Sequence, residues 1–498
     1  MMYAQIISLF LLPLCLSLTA CDTTGREPEP TPIPEEQKEV QRLLDLLGDQ
    51  DGIVFHTDRA VGDTISMGSV VTEGGNVGIE GLKVSDYPSR YPNNEKYKCY
   101  TIISQDIVVK GDLIAIDVSF ADVSTIVVDR AKSLKSLWCT DNKLKRLDLS
   151  NATQLEYAVA YNNKDLATVQ LTPSIQDLRL YSCGALKSLD LTAMKNLKSL
   201  NIGETSVEQL DLSDCSDLEF LNLYKTPCPV PDMKHLSKLR NLVLEEKDLA
   251  IFDQSVLPKD LKGLWIRANN LSSLDVSAIN LEQLYCQENP LTELKVGDNL
   301  LALNCGATEI SHLDLTKSDL AYLRISTNKM TSLKLKSIPL EMYMEHVKLS
   351  SIEILNNENR AEARLQKPLD WYTMMMIYAD LTEEVVSEIV EKLPVWKNKN
   401  AQDLQRDGEQ VSFFGLGYVD ATRNIHRVPI TGQGKNTVLN KGYMPIIFNE
   451  DGRMYADLEG IEHARKGGSF SVDRMMNSPM DFDAIGGNPR GRNGGLSK

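Results

Sequence analysis

Aromatic and arginine side chains recur along the middle of this chain at intervals close to twenty residues. Side chains of these types bind other molecules through ring contacts and hydrogen bonds, and they are enriched at protein interfaces. The chemistry that they predict is recognition rather than bond making. The members of the set are Trp138, Tyr157, Tyr161, Arg179, Tyr181, Phe220, Tyr224, Trp265, Arg267, Tyr285, Tyr322 and Arg324.

Catalytic signatures are missing from the sequence, which lacks H-E-x-x-H, G-x-S-x-G and G-x-x-x-x-G-K-[ST]. Residues 432–437 (GQGKNT) lack the first glycine and the hydroxyl of a phosphate loop, so we interpret them as a turn. Asp481 and Asp483 lie in a polar tail, where acidic side chains are usually solvated. The six histidines have no spaced partners. We therefore predict no enzyme activity, no cofactor and no metal site.

A second repeated phrase, L-D-L-S or L-D-V-S, places a row of aspartates outward on one side of the repeat. One interpretation is a cation-binding row. We favour the alternative that each aspartate caps its own turn, because Asx side chains do this routinely and Lys295 and Lys334 share the row. The aspartates are Asp148, Asp190, Asp211, Asp275 and Asp314.

The element that must position these side chains is a repeat over residues 134–355. The phrase L-x-x-L-x-L returns with steps of 19 to 22 residues, and a second phrase is interleaved with it. Two phrases per period give each coil two extended sides, a first side and a second side. The central apolar residues of the first side are Leu137, Ala158, Leu178, Leu200, Leu221, Leu242, Leu264, Leu284, Leu303, Leu323 and Tyr343.

Strand alternation sends Leu137 and Cys139 to the interior and Trp138 outward. We therefore expect the aromatic and arginine set to be exposed on the outer face of the first side, where large patches usually mark a contact surface. Two alternatives are cross-strand stacking that stabilises the sheet, and cover by the C-terminal segment.

A polar or cysteine residue usually follows the first-side phrase. We predict that these side chains bond neighbouring backbone as a ladder up the stack. Cys139, Cys286 and Cys305 occupy apolar slots and are expected to be small buried hydrophobes, and without a C-x-x-C pair a zinc site has no support. The ladder positions are Asn142, Asn163, Cys183, Thr205, Asn269, Asn289, Thr308 and Asn328.

The chain begins with a segment that resembles a targeting signal. Residues 1–20 contain no charged side chain, and the apolar run 6–18 is too short to span a bilayer, which predicts a signal peptide. Its end, Leu-Thr-Ala-Cys, resembles the lipobox of bacterial lipoproteins and implies lipidation of Cys21. Residues 21–37 are rich in Pro, Glu and Thr, and we expect a disordered tether.

The flanks of the array differ from it in pattern. Residues 38–112 predict a helix over 38–47 and a β-rich N-terminal cap, and the array is expected over 113–355, with irregular coils at 227–233 and 250–259. Residues 356–485 predict an α+β domain or cap, and 486–498 a disordered tail. Within residues 356–485 we expect helices at 365–378 and 382–393, strands at 410–419, 437–443, 445–449 and 454–458, and a hairpin turn at 449–452.

The phrases L-x-x-L-x-C-x-x-N-x-L and L-x-x-L-D-L-S resemble the leucine-rich repeat (LRR), in the short form of internalin-like proteins and of Bacteroidota surface lipoproteins. The resemblance covers roughly half of the chain. It implies a fold of the α/β-solenoid class: an LRR solenoid with coils of about 21 residues. Its convex side should be mostly β or extended, with a small β-rich N-terminal cap and a small α+β C-terminal region.

The resemblance also implies a role. We expect a cell-envelope lipoprotein that is anchored to the outer membrane only through its lipid and is exposed on the cell surface. Such a protein would bind a protein or glycan ligand through the concave strand face of its repeats. The formal net charge of -16 argues against a nucleic acid partner. Two alternatives stay open: an envelope enzyme whose array positions substrate for a catalytic C-terminal domain, and a periplasmic structural protein.

Overall fold

The structure is a computed structural model, and it describes residues 35–72, 75–326, 329–357, 359–361, 374–381, 383–392, 412–419, 425–427, 443–448 and 454–456. The predicted signal peptide, Cys21, the hairpin turn, the 432–437 turn, the Asp481 and Asp483 pair and the tail lie outside these residues. No helix in the described part of the chain is long and apolar enough to cross a membrane.

The N-terminal module consists of one helix and two antiparallel sheets, and the helix packs on one of the sheets. Helix α1 places Leu43 and Leu47 against Val54, Val108 and Val127, and it begins at Glu35, inside the predicted tether. One sheet has the order β3-β6-β1-β8, and in the other β2 pairs with β5 and β7. The elements are α1 (Glu35–Leu47), β1 (Gly52–Thr57), β2 (Thr64–Val71), β3 (Gly78–Glu80), β4 (Leu82–Val84), β5 (Tyr97–Ile102), β6 (Asp106–Lys110), β7 (Leu113–Asp117) and β8 (Val123–Val127).

The first side of the array forms one parallel sheet, which we call the main sheet. It continues from the N-terminal module, because β7 pairs in parallel with the first array strand. Leucines share one register, so that Leu178, Leu200 and Leu221 are successive partners. Its array strands are β9 (Ser136–Trp138), β11 (Tyr157–Val159), β13 (Asp177–Arg179), β14 (Ser199–Asn201), β15 (Phe220–Asn222), β16 (Asn241–Val243), β17 (Gly263–Trp265), β19 (Gln283–Tyr285), β21 (Ala302–Asn304), β23 (Tyr322–Arg324) and β25 (Glu341–Leu349).

The second side is paired only in parts. Residues 171–272 are all described and contain no second-side strand; the predicted irregular coils at 227–233 and 250–259 both lie in this stretch. One short 3-10 helix, Gln254–Val256, occurs there. The second-side strands are β10 (Arg146–Asp148), β12 (Thr168–Gln170), β18 (Ser273–Asp275), β20 (Glu293–Lys295), β22 (His312–Leu315), β24 (Ser332–Leu335) and β26 (Ser351–Ile354).

The inward leucines of both sides form one continuous core, which includes Leu137, Leu147 and the buried cysteines of the array. This confirms the predicted fold class: a solenoid of about twelve turns with little helix, built from LRR phrases. No coil could bury its apolar residues alone, so stacking supplies the hydrophobic stabilisation.

The predicted ladder is confirmed at its described asparagine positions and at Cys183, whereas Thr205 and Thr308 bond carbonyls of their own coil and Asn328 lies outside the described residues. Asn289 Nδ2 donates to the carbonyl of Ile266 one coil earlier at 3.0 Å, and Asn289 Oδ1 accepts from the amide of Asn269 at 2.8 Å. Lys247 occupies the same position, which the sequence pattern missed. Its Nζ donates to the carbonyls of Thr226 and Cys228 at 2.7 and 2.8 Å, and burial lowers its pKa.

The main sheet extends beyond the array. β27 pairs in parallel with β25, β28 with β27, and β30 with β28, while β29 and β31 add antiparallel pairs. α2 contacts β26 at the end of the second side. The C-terminal elements are β27 (Met374–Leu381), α2 (Glu383–Lys392), β28 (Ser412–Val419), β29 (Ile425–Arg427), β30 (Tyr443–Phe448) and β31 (Met454–Ala456).

Two expectations for this region need correction. The helix predicted at 365–378 is wrong over 374–378, where β27 pairs along the extended edge of β25; an apolar run of this kind suits either state, and the available edge decides. The sequence pattern predicts two strands, at 437–443 and 445–449, separated before Pro445. The structure instead has one strand, β30, which runs from Tyr443 to Phe448 through Pro445. The helix predicted at 382–393 is present as α2.

Candidate ligand-binding face

The outward side chains of the main sheet form one surface, which we call the strand face. In each coil, the strand's first and third residues point outward, and so does the residue two positions later. All members of the predicted set fall on this surface. The first row holds Tyr157, Phe220 and Tyr322, the second holds Trp138, Arg179, Trp265, Tyr285 and Arg324, and the third holds Tyr161, Tyr181, Tyr224 and Arg267.

Three tyrosines from the third row form one aromatic cluster. The centroid of Tyr181 is 6.2 Å from that of Tyr161 in an edge-to-face arrangement, and 6.2 Å from that of Tyr224 in a stacked one. Gly203 lies beneath, and a Cβ there would be 2.9 Å from Cδ2 of Tyr181. The glycine therefore lets the Tyr181 ring lie against the sheet. Burial raises the pKa of Tyr161 and of Tyr181.

A second cluster contains the tryptophan. Trp265 and Tyr285 stack with centroids 5.7 Å apart and an interplanar angle of 6°, and Val243 completes the buried group. A Cβ on Gly263 would meet Cη2 of Trp265 at 2.6 Å, so the indole lies over this glycine. Phe220 packs against the cluster.

The expected exposure is wrong for three members of the set. Tyr161, Trp265 and Tyr285 are only 6%, 3% and 6% exposed, whereas Tyr157 is 42% exposed. Parallel strands about 4.8 Å apart bring side chains from the same position into contact, so rings stack along the sheet instead of projecting from it. Burial raises the pKa of Tyr285 well above its ordinary range.

Trp138 belongs to a different environment from the other rings. It packs with Tyr91, Tyr97 and Ala115 of the N-terminal module. Trp138 therefore joins the cap to the first coil and belongs to neither of the two aromatic clusters above.

Two arginines of the face, Arg179 and Arg267, are held by carboxylates. Arg179 Nε and Nη2 donate to Asp177 at 2.8 and 2.7 Å. Arg267 Nη1 donates to Glu288 at 2.7 Å, and the same guanidinium also contacts Glu245 and Glu246. Around Arg267 acids thus outnumber bases by three to one, and the surroundings are acidic.

The turn residues after the third row carry alternating charges. Lys225 Nζ lies 3.0 Å from Glu246 and 3.7 Å from Glu204 in the adjacent coils. All three residues have positive φ, between 51° and 54°, and each amide bonds to the carbonyl of the next coil. Sequence patterning missed this charged rim, because it lies outside the leucine phrase.

The last array coil has a different register from the predicted one. Leu323 pairs with Met342, so Met342 points inward and Tyr343 points outward; the assignment of Tyr343 as the inward residue is wrong by one position. The sequence E-M-Y-M has methionine at both inward positions, and this alternation could have indicated the correct register. The shift places Glu341 and Tyr343 on the strand face.

Glu341 differs from the other acids of the face. It is 7% exposed, and Tyr343 Oη donates to its Oε2 at 3.4 Å. Burial raises its pKa to about 7. The ring centroids of Tyr322 and Tyr343 are 5.7 Å apart beside it.

The second-side aspartates cap their own turns, as predicted. Asp275 Oδ1 accepts from the amide and hydroxyl of Ser277 at 3.0 and 2.7 Å, and Asp314 does the same with Thr316. These hydrogen bonds lower the pKa of both carboxyls. The row is satisfied locally and needs no bound cation.

One group in the N-terminal module has metal-ligand types, namely Glu39, His56 and Asp106. Arg42 already provides the cation there, since it donates to Glu39 Oε2 at 2.8 Å and to Asp106 Oδ1 at 2.8 Å. These contacts hold the pKa of Asp106 at about 2. We interpret the group as an ion-pair network that ties α1 to β6.

The chain is similar in structure to several solved LRR proteins. The functional domain of InlJ from Listeria monocytogenes, which includes a cysteine ladder, is 17% identical with a TM-score of 0.31, over 49% of this chain and 71% of that one. Internalin InlF from the same species is 16% identical with a TM-score of 0.33, over 57% and 87%. An LRR protein from Leptospira interrogans is 16% identical with a TM-score of 0.31, over 56% and 93%.

No family model matches the chain, and no curated protein matches it. The similarities to solved structures are too low to support an argument about function. The fold class rests on the strand pairings and the leucine register, and function has to be argued from the strand face.

Proposed function

We propose that this protein is a binding module whose strand face recognises a protein or glycan partner. The observation that supports this most directly is the alignment of aromatic side chains from successive parallel strands. Buried rings, such as the Trp265 and Tyr285 pair, form a rigid base. Tyr157 is exposed and Phe220 is half-buried on the same face, so both offer contact area. Rigid aromatic surfaces of this kind bind with little loss of side-chain entropy.

The proposal is tested by capture experiments with matched variants. The bait is the chain from residue 22 onward, immobilised and exposed to bacterial and host extracts. We expect Tyr157→Ala with Phe220→Ala to reduce capture of the principal partner by about tenfold or more. The control is Glu293→Ala with Lys295→Ala, an exposed ion pair on the second side. Equal capture by both double variants, with unchanged melting curves, would show that the strand face is not the binding surface.

We further propose that the protein is a lipoprotein of the bacterial envelope, anchored through Cys21 to the outer membrane and exposed on the surface. The signal-like residues 1–20 and the Leu-Thr-Ala-Cys sequence support this. Metabolic labelling with a palmitate analogue should label the wild-type protein and not Cys21→Ser. Protease treatment of intact cells should cut the protein; complete protection would place it inside the envelope.

A further inference from the structure

The strand face carries, in its last array coil, a carboxylate that no described cation neutralises. Glu341 is 7% exposed, and the groups that act on it are the surrounding protein, which desolvates it, and the Tyr343 hydroxyl. Among the described residues, no Lys or Arg lies within ion-pair distance of Glu341, whereas Asp177 on the same face holds Arg179. Burial of an ionised carboxylate without a cation is costly, so this position favours an arriving positive charge.

Two tyrosine rings border this carboxylate. Glu341 is the register partner of Tyr322, and Tyr343 follows two residues later on the same face. Their ring centroids are 5.7 Å apart with planes tilted by 45°. Both residues are half-buried and not fully covered by protein. Aromatic faces attract cations, and the attraction grows when the site is partly desolvated.

The charge further along the face has the same sign. Arg267 is surrounded by three glutamates, and Lys225 lies between two. Carboxylates therefore outnumber cations around these two side chains. A positively charged partner is attracted to such a surface and an acidic one is repelled.

We infer that Glu341, Tyr322 and Tyr343 form a subsite for a guanidinium or alkylammonium group, and that the partner is a protein that places an arginine or lysine side chain there. The carboxylate pairs with the cation while the rings contact its less hydrated faces. This inference rests on the proposed function, and it narrows the partner from protein or glycan to a basic protein segment.

The test uses the full chain with 3-fluorotyrosine in place of tyrosine, observed by fluorine NMR above neutral pH, where Glu341 is ionised. The probe is N-acetyl-arginine methylamide. Its matched control is N-acetyl-citrulline methylamide, which has nearly the same shape without the charge. The Tyr322 and Tyr343 signals are assigned with the two Tyr→Phe variants. We expect both signals to shift saturably with the arginine probe and not with the citrulline control.

Three variants identify the groups responsible. Glu341→Gln keeps the size of the side chain and should weaken binding of the arginine probe by about tenfold or more, and Tyr343→Leu, which keeps the charge, should also weaken it. Glu353→Gln is the control, because Glu353 is an exposed acid on β26 that pairs with Lys334. Equal affinity in wild type and Glu341→Gln, equal binding of the citrulline control, or no saturable shift would overturn the inference.

Failure of the subsite is distinguishable from failure of the proposed function. If the arginine probe does not bind while Tyr157→Ala with Phe220→Ala still loses the partner, the subsite is wrong and the binding face stands. If the probe binds at Glu341 while the same double variant captures its partner normally, the subsite stands and the contact surface proposed around Tyr157 and Phe220 is wrong. The two experiments share no substituted residue.

Discussion

On the second side of each coil, aspartates such as Asp275 and Asp314 bond to residues two positions later, whereas on the strand face Trp265 packs on Tyr285 twenty positions away. The second-side aspartates are satisfied within a coil, and the second side can lose its strands over residues 171–272 without interrupting the stack. The aromatic rings of the strand face instead pack between coils. Under the proposed function, the side chains of the strand face have two duties, since they stabilise neighbouring coils and also form the binding surface.

The largest effect should come from the aromatic cluster. Trp265→Ala removes a side chain that is 3% exposed, and we expect a loss of about 3 to 5 kcal/mol in the free energy of unfolding. Urea denaturation followed by circular dichroism measures it. Tyr157→Ala, at 42% exposure, should cost less than about 1 kcal/mol. If the two losses were equal, the strand face would not contribute to coil stability through burial.

A pH-dependent effect of similar size is expected at Glu341. Its pKa is raised from 4.5 to about 7 in the folded protein, so folding favours the protonated form. The resulting destabilisation is absent below about pH 4.5, grows as the pH rises, and reaches about 3 kcal/mol above pH 7. Glu341→Gln should therefore be more stable than wild type at alkaline pH and equal to it at acidic pH. Denaturant midpoints are measured for both proteins across this pH range. A constant difference between the midpoints of wild type and Glu341→Gln would contradict the raised pKa.

A moderate effect is expected from the glycine that lies beneath the Trp265 ring. Gly263→Ala puts a methyl group 2.6 Å from the Trp265 ring, and we expect a loss of about 1 to 3 kcal/mol as the indole is displaced. The emission of Trp265 should shift to longer wavelength in a variant that retains only this tryptophan. Gly184→Ala is the control, since no atom lies within 4 Å of a Cβ there. An unchanged spectrum with Gly263→Ala would mean that the ring does not lie over the glycine.

The smallest effect should come from the second side. Asp275→Ala removes two hydrogen bonds to Ser277 at the surface, and we expect a loss below about 1 kcal/mol. Thermal unfolding measures it, with Lys295→Ala as a control in the neighbouring coil. A loss as large as that of Trp265→Ala would show that the aspartate row couples coils and is not a set of local caps.

The repeat itself was predictable because its determinants are local. Leucine spacing defines the inward residues, Asp275 bonds its own turn, and Asn289 bonds the backbone of the preceding coil, so a single sequence contains each signal. The helix α2 also carries its own apolar periodicity. These features do not depend on what other parts of the chain provide.

The errors arise where one segment responds to another. β27 is a strand because β25 offers it an edge, and Trp265 is buried because Gly263 leaves room beneath it and Tyr285 stacks beside it. Tyr343 was misplaced because its size suited the interior as well as Met342 does. Alternation therefore predicted which side chains share the strand face, while the exposure of its rings and the burial of Glu341 required the structure.

The continuity of the main sheet has a mechanical consequence. A force applied along the stack loads the hydrogen bonds between successive coils in series, so every interface carries the same tension and the weakest one opens first. Residues 171–272 have these bonds on the strand side and no strand pairing on the other. In the middle of the array the main sheet therefore provides the strand pairing alone, so it takes a larger share of any such load there than it does where both sides are paired.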